Sequence, residues 1–116
     1  MKSFTDIDQS KKLASILTLD SADMKFPYFG DGQYGTTAVF GEPLEFSGDK
    51  DIPCWSLTAL LEVIREKVGY DLSVWDKGYG IDVYDLESGK VITELYSNPV
   101  DTVVETIYKL REKELI

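Results

Sequence analysis

The stretch that decides the fold begins Tyr70-Asp71-Leu72-Ser73-Val74-Trp75-Asp76-Lys77-Gly78-Tyr79-Gly80-Ile81-Asp82-Val83-Tyr84 and runs on to Tyr96. Tyr70, Leu72 and Val74 alternate with Asp71 and Ser73; Tyr79, Ile81 and Val83 alternate with Gly80 and Asp82. A period of two is that of a strand with one buried and one wet face. Asp76-Lys77-Gly78 reads as a turn and Ser88-Gly89 as a tight hairpin turn, leaving Lys90–Tyr96 as a third strand. Residues 70–96 therefore predict a three-stranded antiparallel meander, with the apolar member of each alternation turned inward.

Just beyond the meander, Asn98 reads as an N-cap, Pro99 fits the first helical position and Asp101 suits the positive helix start. Val100, Val103, Val104, Ile107 and Leu110 (or Tyr108) follow helical spacing, which predicts a helix over about 99–113. On the other side, Ser56 is a good N-cap. Leu57, Leu60, Leu61, Ile64 and Val68 make an apolar stripe, so a helix is expected over about 56–67, stopped by Gly69. Ile52-Pro53 is held extended by the proline ring.

The stretch from Lys25 to Ile52 interleaves Phe26, Tyr28, Phe29, Tyr34, Phe40 and Phe46 with five glycines. Aromatic residues suit a pleated surface and glycines permit turns, so a hairpin is expected over about 24–40, with strands near Met24–Phe29 and Thr36–Phe40. Glu42-Pro43 and Ser47–Asp51 read as loop. A first helix is expected over about 5–17, with Thr5 capping the N–H of Asp8. The order α-β-β-α-β-β-β-α predicts an α+β fold, an antiparallel sheet covered on one face by helices, in a single domain spanning 1–116.

The 116 residues carry a formal net charge of -9, no histidine and one cysteine. That charge repels nucleic-acid phosphates and anionic lipid and suits a basic partner. The lone Cys54 rules out an intrachain disulfide and fits a reducing cytoplasm. Met1-Lys2-Ser3-Phe4-Thr5-Asp6 has no apolar stretch of the kind a signal peptide needs, and no apolar run approaches the roughly 20 residues of a membrane span.

The chemistry-bearing residues are sparse. A catalytic thiol needs a cationic partner, whereas Cys54 lies between Pro53 and Trp55 and reads as a small buried residue. One Cys and no His cannot furnish a zinc site, and Asp31, Asp49 and Asp51 do not follow EF-hand spacing, so no metal and no cofactor are expected. Asp82 with Asp85, or Asp71 with Asp76, could form a carboxylate pair for acid–base work. Gly30-Asp31-Gly32 and Gly78-Tyr79-Gly80 lack the lysine of a phosphate loop and read as turn glycines. The aromatic residues are more informative. Tyr28, Tyr34, Trp55, Trp75, Tyr79 and Tyr84 exceed what one small core needs. Trp75 and Tyr84 break the inward alternation of their strands. Turned to the second sheet face, they would stand beside Asp71, Asp82 and Asp85, a combination suited to a protein partner with basic or apolar anchors. The competing expectation is that the 25–52 segment covers that face.

Three stretches, Leu19-Asp20-Ser21-Ala22-Asp23-Met24, Asp51-Ile52-Pro53-Cys54-Trp55-Ser56-Leu57-Thr58-Ala59-Leu60-Leu61 and Ser97-Asn98-Pro99-Val100-Asp101, together form a pattern. It resembles a family of small uncharacterised proteins common in gut bacteria and their mobile genetic elements. In that family the middle stretch is typically proline-alanine-tryptophan-serine-leucine, so Cys54 stands where a small alanine is usual, which fits a packing role. The resemblance implies an accessory gene and a bacterial cytoplasm, and it implies no activity, cofactor or catalytic residue.

The leading expectation is a non-enzymatic protein-interaction module that binds through Tyr28, Tyr34, Trp55, Trp75, Tyr84, Asp71 and Asp82. Two alternatives stay open: an acidic mimic of nucleic acid that blocks a basic DNA-binding protein, and a carboxylate-based enzyme. The expected partner is another protein, with a homodimer as a further option and no direct contact with nucleic acid or membrane.

Overall fold

The computed structural model of the chain describes residues 2–43, 45–46, 49–75, 78–85 and 89–116, and at 45, 46, 49, 75, 85 and 89–95 it describes the backbone. The chain is α+β, and its described residues form three α-helices and antiparallel sheets. It divides into two compact units, one of Phe4–Ala59 and one of Leu60–Ile116 with the N-terminal Lys2 and Ser3.

In the first unit, helix α1 spans Ile7–Ala14, and a single 3-10 turn follows at Leu19–Ser21. The helix starts one residue later than the capping expectation. Asp6, not Thr5, is the N-cap: its carboxylate accepts the Gln9 N–H at 2.8 Å, and the Gln9 side chain accepts the Asp6 N–H at 3.1 Å. This reciprocal box satisfies two N–H groups that a helix start leaves open. Thr5 is drawn into the interior instead, and the helix ends at Ala14 rather than Leu17.

Among the described residues seven short strands follow: β1 Met24–Phe26, β2 Tyr28–Gly30, β3 Gln33–Tyr34, β4 Val39–Phe40, β5 Glu45–Phe46, β6 Asp49–Lys50 and β7 Ile52–Cys54. The expected pairing of the Met24 and Phe40 ends is present, since Met24 lies opposite Phe40 and Lys25 opposite Val39. It is not a simple hairpin. A smaller ladder, β2 with β3, is set between its arms, and β7 pairs with the other side of β1. Pro53 sits in β7, an outer strand of the order β4-β1-β7, where a residue without an N–H is tolerated. Within the stretch 47–51 expected as loop, Asp49–Lys50 is strand β6, paired antiparallel with β5. Met24, Phe26, Ala38, Ile52 and Cys54 form the buried cluster, with Phe4, Ile7 and Tyr34 packed against it.

Helix α2 spans Leu57–Arg65. Ser56 caps it as expected, its hydroxyl accepting the Ala59 N–H at 3.2 Å. Gly69 does not act as a left-handed cap; its φ is negative and it opens the next strand.

In the second unit the meander is present as β8 Gly69–Trp75, β9 Gly78–Asp85 and β10 Gly89–Tyr96, in the order β10-β9-β8. The turns expected at 76–77 and at Ser88 lie outside the described residues. Gly80 belongs to the middle of β9, opposite Ser73, and not to a turn. Helix α3, Pro99–Glu112, packs on β9 and β10. Val100, Val103, Val104, Ile107 and Leu110 are all fully buried, as their spacing requires. Asn98 accepts the Asp101 N–H at 2.8 Å, and Lys2 reaches the Asp101 carboxylate at 2.8 Å. Two buried threonines complete the contact. Thr102 Oγ1 lies 2.8 Å from the Tyr79 carbonyl and 2.9 Å from that of Asn98, and Thr106 donates to the Thr102 carbonyl at 2.7 Å. No described helix is long and apolar enough to cross a membrane.

The alternation in β8 has a different outcome from that in β9. Ile81 and Val83 are buried at 1% and 0% exposure, yet Leu72 is 42% and Val74 80% exposed. Leu72 lies opposite Ile81, so both face the same side of the sheet. The helix covers β9 and β10, and the outer strand β8 extends past it. The expectation that Leu72 and Val74 are buried is therefore corrected.

Candidate functional site

The meander brings three of the expected site residues together. Asp71 of β8 lies directly opposite Asp82 of β9, and Tyr84 lies opposite Gly69, one diagonal step from Asp71. In an antiparallel pair, opposed residues have Cβ atoms roughly 5 Å apart, so the two carboxylates form a compact acidic centre. Asp71 is exposed and Asp82 half-buried. Tyr84 is 36% exposed. Its phenol is hydrogen-bonded to the Asp71 carboxylate. That bond, followed by partial desolvation and the negative charges of Asp71 and Asp82, pushes the Tyr84 hydroxyl above its ordinary pKa. The result is an exposed Asp71 carboxylate beside an aromatic ring, an arrangement that attracts a cation and offers it an apolar neighbour.

Trp75, expected on the same face, is the last residue of β8 and pairs with Gly78; its side chain lies outside the described set. Tyr28 and Tyr34 form a separate pair in the first unit. They are register partners in β2 and β3, with ring centroids 5.1 Å apart and planes inclined at 55°. The Tyr28 hydroxyl accepts the Gly32 N–H at 3.1 Å, closing the turn in which Gly30, Asp31 and Gly32 all have positive φ. Those glycines serve backbone conformation. Tyr34 packs on the buried cluster, so this pair consolidates a hairpin.

Trp55 leaves the binding set. It is 0% exposed, and its Nε1 donates to Ser21 Oγ at 3.0 Å. Its backbone N–H donates to Thr5 Oγ1 at 3.1 Å, and its carbonyl accepts the Thr5 N–H at 3.0 Å. A buried indole with a satisfied N–H is a core residue.

Cys54 is also fully buried. Its thiol donates to the Thr5 carbonyl at 3.3 Å, and burial raises its pKa above the usual thiol value, so it is held as the neutral form. Asp51 is engaged in structure: it accepts the Tyr28 N–H at 2.9 Å and lies 3.7 Å from Lys25 Nζ. Asp31 occupies a left-handed turn position. Among the described residues no three His, Cys, Asp or Glu side chains converge as metal ligands do. The acids that stand directly opposite across the ladder, Asp71 and Asp82, are not either pair singled out in the sequence; the side chains of Asp76 and Asp85 lie outside the described set.

The sequence missed the Asp23–Ser56 clamp. Asp23 accepts the Ser56 N–H at 2.9 Å through one oxygen and the Ser56 hydroxyl at 2.5 Å through the other. It ties the chain before β1 to the start of α2. Both residues fall in the motif stretches, which accordingly serve the fold at these positions. Comparison with known proteins finds no matching family model, no matching curated protein and no matching solved structure.

Proposed function

We propose that this chain is a non-enzymatic protein-interaction module that binds a basic partner protein through the Asp71–Asp82–Tyr84 face of the meander. The observation that carries the reading is the direct cross-strand opposition of Asp71 and Asp82. Like charges directly opposed weaken a sheet, by roughly 0.2–1 kcal/mol for such a pair. A lysine or arginine of the partner meets the exposed Asp71 carboxylate beside Asp82, and the Tyr84 ring gives its aliphatic stem an apolar seat. The net charge of -9 adds long-range attraction for a basic partner and speeds encounter. The lone buried thiol supports a cytoplasmic setting for the proposal, and the motif resemblance adds an accessory bacterial context.

The test uses peptides that alternate Lys or Arg with Trp, Tyr or Leu, and acidic peptides of matched length, followed by fluorescence anisotropy. The basic peptides are expected to bind, with affinity that falls as salt rises. The double variant Asp71→Asn/Asp82→Asn, checked for unchanged circular dichroism, is expected to lose about tenfold or more in affinity. Equal binding by the double variant, or equal binding of the acidic peptides, removes the reading.

A further inference from the structure

The outer strand β8 has a second property, independent of its acidic side. In the order β10-β9-β8, β9 is paired on both sides and β8 on one, among the described residues. An outer strand presents a row of backbone N–H and C=O groups to any strand that can match it, and natural sheets blunt such edges with lysine, proline or a bulge. The two outer strands of this sheet differ in that respect. β10 carries Lys90 and a register shift between Lys90 and Ile92. β8 reads Gly69-Tyr70-Asp71-Leu72-Ser73-Val74-Trp75, with Asp71 as its one charge, no lysine and no proline, and pairs with β9 without a shift. It also bears the exposed Leu72 and Val74.

We propose that β8 pairs antiparallel with β8 of a second copy about a two-fold axis at Leu72, joining two meanders into a six-stranded sheet. Leu72 is the central residue of the strand, so this is the register that pairs all seven residues. It sets Leu72 opposite Leu72 of the second copy, Val74 opposite Tyr70, and Asp71 opposite Ser73. Apolar residues meet apolar ones on one face, and the acids do not oppose each other across the axis. Centring on Asp71 instead would stack it on its own copy beside Asp82, a like-charge contact that disfavours that register. A C2 contact of this kind is self-complementary, as most homodimer contacts are. Seven residues span roughly 24 Å, a contact smaller than a standard stable interface. The dimer is accordingly weak and concentration-dependent. Because each copy carries a charge of -9, added salt strengthens it, the opposite of the trend for a basic peptide.

Sedimentation velocity on the whole chain, carried into the high micromolar range, tests association. Wild type is expected to shift toward dimer with concentration, and Val74→Lys, at a position 80% exposed, to weaken the dimer about tenfold or more while folding normally. Register is tested by oxidative cross-linking with Cys54 left in its buried place. Leu72→Cys is expected to form a disulfide-linked dimer. Val74→Cys should not, because residue 74 lies about 13 Å along the strand from its own copy, too far for a disulfide. A wild-type chain that stays monomeric at every concentration overturns the proposal, as does equal cross-linking of the two variants. A monomer whose β8 amides are protected by a basic peptide also overturns it, and assigns the edge to that peptide.

Discussion

Tyr84 hydrogen-bonds the carboxylate of Asp71, one diagonal step away across the β8–β9 ladder and directly opposite Asp82. The contact joins an aromatic ring to an acidic pair on the side of the sheet opposite Leu72 and Val74. Because successive residues in a strand alternate faces, the acidic side and the apolar edge can be altered separately.

Neutral phenol donates to Asp71 and phenolate cannot, so the folded-state pKa of Tyr84 is raised above that of an unfolded tyrosine. The stabilisation is therefore present below the ordinary tyrosine pKa of about 10 and is lost as pH rises through the higher folded value. Ultraviolet titration of wild type against Tyr84→Phe identifies its midpoint. Asp71→Asn is expected to lower that midpoint, and an unchanged midpoint contradicts the assignment.

Thr5 is the polar hub of the first unit: its hydroxyl meets Ser10 Oγ at 2.8 Å, Cys54 Sγ at 3.4 Å and the Trp55 N–H at 3.1 Å. Thr5→Val keeps the shape and leaves the Trp55 N–H without its acceptor in the interior. A loss of about 2 kcal/mol is expected in urea unfolding. Thr5→Ser, which restores the hydroxyl, should recover most of it.

The indole of Trp55 has one N–H to donate, and Ser21 Oγ accepts it. Ser21→Ala is expected to destabilise the fold by about 1 kcal/mol. In a Trp75→Phe background Trp55 emission should be blue-shifted and shielded from iodide until the chain unfolds. Quenching in the native state would be incompatible with its burial.

Asn98 holds the start of α3 through the Asp101 N–H, and Asp101 in turn receives Asn98 Nδ2 at 2.7 Å. Asn98→Ala should cost about 1 kcal/mol by thermal or chemical unfolding. Asn98→Asp keeps the acceptor but places a second carboxylate beside Asp101, so it is expected to recover only part of the loss.

Local rules decided the elements that short-range chemistry can specify. Asn98-Pro99 started α3, Ser56 started α2, and the alternation of Tyr79, Ile81 and Val83 made β9 a strand. These signals were legible because capping, proline geometry and side-chain period act within a few residues. The same rules read Leu72 and Val74 as buried, Thr5 as a cap and Trp55 as a contact residue, and tertiary structure reversed each. Burial of an alternating strand depends on whether a helix lies above it, and α3 covers β9 and β10. Thr5 lost its cap role because Trp55, fifty residues away, supplies an interior N–H for its hydroxyl while Asp6 caps the helix better placed. The candidate site divides in the same way: sequence supplied its acids and rings, and the register of β8 on β9 decided that Asp71, Asp82 and Tyr84 would meet. Periodicity fixes which side chains share a face of one strand; which strands become neighbours, and which of them a helix covers, is set by packing between segments far apart in the chain.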